Sequence, residues 1–567
     1  MKKQLSLIIM LMLVSTLQTI AQSPNWVWAK SAGGTNPEWA TTMTTDPSGN
    51  VYLVGNFQSD SITFGSTTLF SSNYLGIFLV KYDGSGNVLW AADAVAFDNV
   101  GVTSVTTDLI GNIYIAGYFN DTIIFGSFTL TNEGMFIAKY DSNGNVLWAK
   151  SSDGSDSYIN GANSITTDAA GFVYVAGFYN GSFITFGSIT LNNPNGFGFS
   201  SDMFLVKYDQ TGNVLWATSA GGISDDGTNS VATDLNGNIY VSGWFNYSIT
   251  FGATTLFSVN TSWKDIFLVK YDASGNPVWA LGAGGGDWEE AYSVITDVSG
   301  NIYMAGQFYS DSISFNSVTL LNDGYYDLFL TKFDSNGNVI WVKSDGGSGG
   351  GSAGSIISDA SSNIYMAGSF GDSTIIFGSD TLMNVSSSAF GALYTDGFLA
   401  KYDSAGNVLW AKSAGALYHD GMIVTADVSG NIYVGGNFDG PEIIFDTDTL
   451  INHGWNDVFI AKLDTASFTS INSFEIFGKE ISIFPNPFYN SATISFSLPQ
   501  SEKVSVKIFD MTGRIVKTLA DVEMQEGAQQ INWNATDEKG NAVDAGIYFL
   551  KLDIGNYSET KKLLVVK

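Results

Sequence analysis

Cysteine is absent from all 567 residues. That excludes disulfides, thiolate metal sites, cysteine nucleophiles and lipid attachment at an N-terminal cysteine. Histidine is nearly absent too. His419 and His453 are the only two, and they fall in different loops, a weak basis for a metal centre. Basic residues are scarce: 24 Lys and Arg stand against 54 Asp and Glu, for a net charge of −30. Such a surface repels phosphate backbones, so nucleic acid is not an expected partner. Proline is low at 9, while glycine reaches 63 and aromatic residues 14%. A large aromatic fraction with many glycines suits a compact all-β chain rich in tight turns, not a disordered one.

Only one long apolar run occurs. Lys2 and Lys3 precede a stretch from Leu5 to about Leu17, and Thr19-Ile20-Ala21 follows as a small-x-small site. The pattern is that of a signal peptide over residues 1–21, with cleavage expected after Ala21. The alternative is a membrane anchor, for which the run is short. No further transmembrane segment is expected in the mature chain.

What the chain has in quantity is repetition. Trp28, Trp90, Trp148, Trp216, Trp279, Trp341 and Trp410 recur in one pattern, fullest as N-V-L-W-A-K. Tyr52, Tyr114, Tyr174, Tyr240, Tyr303, Tyr365 and Tyr433 recur in a second, G-N-I-Y-x-A-G. In the second copy, Thr103 to Thr107, Ile113 to Phe119, Phe136 to Tyr140 and Val146 to Lys150 have the β-branched and aromatic content of strands. An insert from Thr122 to Leu130, with an F-G-S turn, predicts an extra hairpin.

Two connections per repeat share the formula Asp-x-x-Gly-Asn, as at Asp108 to Asn112 and Asp141 to Asn145. Aspartate suits the first position of a type I turn and glycine the left-handed residue after it. The formula also overlaps part of a calcium loop, but alternating carboxylates and a closing Glu are missing. The last copy stops after its third strand, Val458 to Leu463. The missing fourth strand stands at the front, Trp26 to Lys30. The expected fold is therefore a seven-bladed β-propeller over residues 22–464, closed by its N-terminal strand.

Runs such as Thr233 to Gly243, T-D-x-x-G-N-x-Y-x-x-G, resemble the bacterial β-propeller repeats called SBBP. That resemblance spans about residues 23 to 464. It implies fold and an extracellular setting but supplies no catalytic residues. After a linker at 465–479, residues 480–567 form short alternating strands that suggest a small Ig-like β-sandwich. Pro485, Asn486 and Pro487, then Gly513 of D-x-x-G, Gly546 and Tyr548 of G-I-Y, and Lys561 and Lys562 of the final K-K-L-L-V-V-K occur in series. This series is similar to the type A sorting domain of the type IX secretion system. The resemblance implies the type IX machinery as partner, with release or attachment at the cell surface.

Strands alternate in direction, so both Asp-x-x-Gly-Asn turns fall on one face and the variable connections on the other. Variable loops on a rigid frame are where binding sits. The loops between repeats carry Glu38, Trp39, Asp98, Tyr158, Asp226, Asp287, Trp288, Glu289, Tyr418, His419 and Asp420. Acids with aromatics can hold sugars, by hydrogen bonds and ring stacking, or a cation such as calcium. They can also be a plain solvated rim. The reading is a monomeric, non-catalytic binding or adhesion module for a glycan or surface protein, with no resident cofactor and calcium left open. A polysaccharide hydrolase using rim carboxylates such as Asp287 with Glu289 or Glu290, and a purely structural surface protein, are the alternatives. The Lys of K-Y-D, which stands in K-F-D at Lys332 and K-L-D at Lys462, recurs in every copy and is scaffold on this reading.

Overall fold

The computed structural model describes residues 24–71, 75–154, 160–193, 195, 200–322, 324–346, 350–371, 373–384, 394–415, 420–464, 482–484, 486, 488–489, 491–498, 501–510, 514–525, 527–554 and 557–566. The expected signal peptide with Ala21, the linker, Tyr158, Tyr418, His419, Pro485, Pro487 and Gly513 lie outside the described residues, as does the side chain of Asp420. The chain divides into two compact units, the first ending at residue 468 and the second starting at 469. Among the described residues every element is a strand, and no helix is long and apolar enough to cross a membrane.

The first unit is a propeller-like all-β architecture. Its repeat yields seven antiparallel sheets among the described residues, six of four strands and one, sheet one, widened to six by the hairpin of the second repeat. Sheets one to six begin with Glu38–Thr45, Val100–Thr107, Gly161–Thr167, Asp226–Thr233, Glu289–Thr296 and Gly351–Ser358. In sheet two the strands are Val100–Thr107, Ile113–Phe119, Gly134–Tyr140 and Val146–Ser151. They run slightly longer than the sequence suggests. The first strand carries a register slip between Val102 and Ser104, so pairing extends through Val100 and Gly101. The insert forms a hairpin, Thr122–Phe125 with Phe128–Thr131. The seventh sheet takes three strands from residues 420–463 and its fourth from Trp26–Ala32, which pairs antiparallel with Asp457–Leu463.

Each Asp-x-x-Gly-Asn connection folds as the turn its residues favour. At Asp46 to Asn50, the Gly49 N–H donates to Asp46 O at 3.0 Å and Gly49 sits at φ 80°. The Asp46 carboxylate accepts the N–H groups of Ser48 and Asn50 and the Asn50 side chain. It also accepts the hydroxyl of Tyr52 at 2.9 Å. The same Tyr–Asp bond recurs at Tyr114, Tyr174, Tyr240, Tyr303 and Tyr433. These carboxylates are occupied inside their own turns.

The repeated Lys and Trp clamp one sheet to the next. Lys139 Nζ and Trp148 Nε1 both donate to Gln210 O, in the following sheet's turn, at 3.1 and 3.2 Å. Lys81 with Trp90 does the same to Ser142 O, and Lys332 with Trp341 to Ser404 O. Every repeated Trp but Trp410 also covers the next turn's glycine: a Cβ on Gly212 would meet the Trp148 ring at 3.1 Å. Lys462 of sheet seven reaches Gly84 O of sheet one at 3.1 Å. First strands are joined as well. Thr107 Oγ1 donates to Thr45 O at 2.7 Å, Thr167 to Thr107 O, Thr233 to Thr167 O and Thr296 to Thr233 O. Thr45 in turn donates to Ala426 O of sheet seven.

The second unit has two sheets. One joins Ser482–Phe484, Ala492–Leu498 and Gly527–Trp533; the other joins Ile515–Met524, Glu502–Phe509, Gly546–Ile554 and Tyr557–Val565. They share a core that includes Phe488, Trp533, Tyr548 and Leu563. The Asn486 side chain donates to Lys562 O at 2.8 Å and accepts the Leu564 N–H at 2.8 Å. The Tyr548 hydroxyl donates to Asp544 O. The sorting-type residues therefore tie the last strand to the unit's start, while the Lys561 and Lys562 side chains are exposed.

Candidate functional site

Of the inter-repeat residues, Asp287 and Trp288 are exposed, immediately before the first strand of sheet five. The Asp287 N–H donates to Ser310 Oγ, and Asp287 Oδ1 accepts the Trp288 N–H at 2.9 Å. That local loop holds the Trp288 ring 38% exposed. The ring lies 6.4 Å from Tyr309, which stacks on Tyr326 at 4.8 Å and meets Tyr325 edge-on at 5.6 Å. Tyr325 is 71% exposed. Lys264 Nζ sits 3.5 Å from the centroid of Trp244 and 4.9 Å from that of Trp288. Burial pulls its pKa down, and Glu290 at 3.8 Å opposes that. Glu290 also accepts the Tyr292 hydroxyl. The result is an aromatic platform across sheets four and five, with a lysine wedged between two indoles.

Sequence reasoning found Asp287, Trp288 and Glu290 here. It missed Trp244, Lys264, Tyr309, Tyr325 and Tyr326. These come from four separate segments of two repeats, and only packing brings them together. One weak signal was available: Trp244 stands where four copies have Asn56, Gln307, Ser369 and Asn437, though two others have Tyr118 and Phe178.

The acids divide into two kinds. Asp98 is exposed and accepts its neighbour's Asn99 N–H at 2.8 Å. Trp39 is 37% exposed but belongs to sheet one, apart from the platform. Glu38, Asp226 and Glu289 are 0% exposed and do not lie on a solvated rim. Each is the first residue of a strand. Alternation along the strand turns Glu38 inward and leaves Trp39 on the outer side, while Trp288 precedes its strand in the exposed loop. Glu289 accepts the Gly285 N–H at 3.2 Å and the Ser310 hydroxyl. Glu38 accepts the Gly34 N–H at 3.0 Å and the Ser59 hydroxyl.

Each buried acid faces a second carboxyl that the sequence reading did not select. Asp457 lies near Glu38, Asp202 near Asp226 and Asp265 near Glu289. Asp202 and Asp457 open third strands and Asp265 is the second residue of its own, each in a D-x-F run. Their room comes from glycine: a Cβ on Gly284 would lie 2.1 Å from the Asp265 carboxyl. Burial raises Glu38 to about 7 and Glu289 to about 8, with the neighbouring carboxyl adding to the rise. No group of three or more His, Cys, Asp or Glu residues gathers as a metal centre among the described residues.

Residues 482–567 match the family described as a secretion system C-terminal sorting domain. That match indicates delivery to the cell surface or extracellular space by the type IX secretion machinery. Among curated proteins, an uncharacterized WD repeat-containing protein of Acanthamoeba polyphaga mimivirus is 25% identical over 368 residues, 52% of this chain and 26% of its own length. The regulatory protein FlaEY of Caulobacter vibrioides is 30% identical over 140 residues, 24% of this chain and 14% of its own. The chain thus spans about a quarter or less of either relative. Among solved structures, a fungal alcohol oxidase of the AA5 family in complex with copper overlaps at 13% identity and TM-score 0.38, covering 96% of this chain and all of that one. PorZ, a surface component of the type IX secretion system of Porphyromonas gingivalis, overlaps at 10% identity and TM-score 0.19, covering 93% and 81%. Overlaps this loose decide nothing about activity.

Proposed function

We propose that the chain is an exported seven-bladed β-propeller of SBBP type that binds a glycan through the Trp288–Tyr309–Tyr325 platform and performs no catalysis. The platform carries this reading. Three exposed or half-exposed rings with an adjacent carboxylate, Asp287, offer stacking faces and a hydrogen-bond acceptor for hydroxyls. Signal-peptide removal after Ala21 and a C-terminal Ig-like sandwich complete the proposal. The hydrolase reading is weaker, because Glu289 is enclosed with Ser310 and does not face the loop surface where Asp287 stands.

A glycan array probed with the secreted protein tests the platform. Trp288→Ala and Tyr325→Ala each weaken binding at least about tenfold, as for a central aromatic contact, with unchanged melting temperature. Binding that survives both substitutions removes the platform from the account. No binding to any glycan leaves a protein ligand or a structural role. The tail is tested separately. Deleting residues 482–567 should hold the protein inside the cell envelope, read by fractionation, and normal export of the truncated chain would show that the matched domain is dispensable.

A further inference from the structure

The junction of sheets three and four gathers buried oxygen atoms with no hydrogen donor. Asp202 opens the third strand of sheet three and Asp226 the first strand of sheet four. Both are buried, Asp226 completely. Neither oxygen of Asp226, nor Asp202 Oδ1, Ser200 Oγ or Asn246 Oδ1, makes a hydrogen bond. The backbone holds them close. The Asp226 N–H donates to Ser201 O at 2.7 Å, and the Ser201 hydroxyl to Asp226 O at 3.1 Å. The Asn246 N–H donates to Asp225 O at 3.0 Å. Gly221 leaves room for Asp202, since a Cβ there would lie 2.0 Å from Asp202 Oδ1.

The equivalent junctions show what is missing. Glu38 and Glu289 each reach a glycine N–H and a serine hydroxyl. Asp226 is one methylene shorter. Its neighbouring connection, Phe245-Asn246-Tyr247-Ser248, is one residue shorter than Phe308-Tyr309-Ser310-Asp311-Ser312 and has no serine at the matching place. The acid is kept, with only the Gly222 and Asn246 N–H groups near it, while the serine hydroxyl is gone. What remains is an all-oxygen set of two carboxylates, a hydroxyl and an amide carbonyl, the hard donors that calcium takes.

We infer that Asp202 and Asp226 bind a calcium ion at this junction, with Asn246 Oδ1, Ser200 Oγ and water filling the other positions. The competing occupant is a proton: burial, with Asp202 nearby, pushes Asp226 up to about 9. The two differ in response to calcium and to asparagine, which imitates the protonated acid. The full mature chain, stripped with a chelator near neutral pH, should gain about 2 °C or more in melting temperature in millimolar calcium. Asp226→Asn and Asp202→Asn should abolish that gain, and Glu289→Gln should keep it. No gain in the unaltered chain, or a gain that persists in both asparagine variants, overturns the proposal. Should either variant fail to fold, tyrosine-sensitised terbium emission from the unaltered chain decides, because Tyr179 is the cross-strand neighbour of Asp202. Emission displaced by calcium supports the site, and its absence rejects it.

Discussion

A mature chain lacking residues 24–32 should lose cooperative folding of the first unit, the largest effect expected here. Trp26–Ala32 fills the fourth place in sheet seven, paired from Ala32↔Val458 to Trp26↔Leu463. Trp26 packs edge-on against Phe445 at 4.9 Å, and Trp28 lies 6.1 Å from Tyr433. Lys412 bridges Pro24 O and Asp446 over the Trp26 ring. Removing the strand uncovers those rings and leaves Asp457–Leu463 an open edge, a template for another chain. Trp28→Ala alone should cost about 3–5 kcal/mol, as for other buried tryptophans. Chemical denaturation measures the loss, and size exclusion reports association through the open edge. A synthetic peptide of residues 24–32 should restore the transition. An unchanged denaturation midpoint in the shortened chain would show that the N-terminal strand is not structural.

Glu289→Gln should stabilise the protein at alkaline pH and flatten its pH profile. The folded pKa of Glu289 is raised to about 8 from the ordinary 4.5, by burial and by Asp265. Below 4.5 the folded and unfolded chains both hold the proton, so its stabilising effect is complete there. As pH climbs from 4.5 to about 8, the unfolded chain releases the proton and the folded one keeps it. Stability therefore falls across that window, by at most about 1.4 kcal/mol per pH unit. Glutamine keeps an acceptor for Ser310 and Gly285 without the charge. The gain at pH 8 should be on the order of 2–4 kcal/mol. Glu38→Gln should act the same way over a shorter window, up to about 7. Parallel pH profiles for the variant and the unaltered protein would refute the protonated state of Glu289.

These two predictions draw on different kinds of information. The closing strand was legible in the sequence, since a repeat short of one strand at its end and carrying a spare at its start has one economical solution. The Asp-x-x-Gly-Asn turns were legible because their bonds are local, closing within five residues. The sorting-type tail was legible as an ordered series of short motifs, later matched over residues 482–567. The repeated Lys was read as scaffold, and its bond to the next sheet's turn gives the reason. The buried state of Glu38, Asp226 and Glu289 was not legible. An acid in a variable loop and one at the first position of a strand look alike until the strand's start is known.

Repetition, turn chemistry and the export tail follow from the order of residues, because each rests on contacts between near neighbours or on a recurring pattern. The tertiary structure alone decided which acids face inward, which carboxyl lies opposite each, and which rings make one surface. Asp202 meets Asp226, and Lys264 meets Trp288, across sheet junctions. Those encounters join residues of different sheets, and side-chain spacing along the chain carries no record of them.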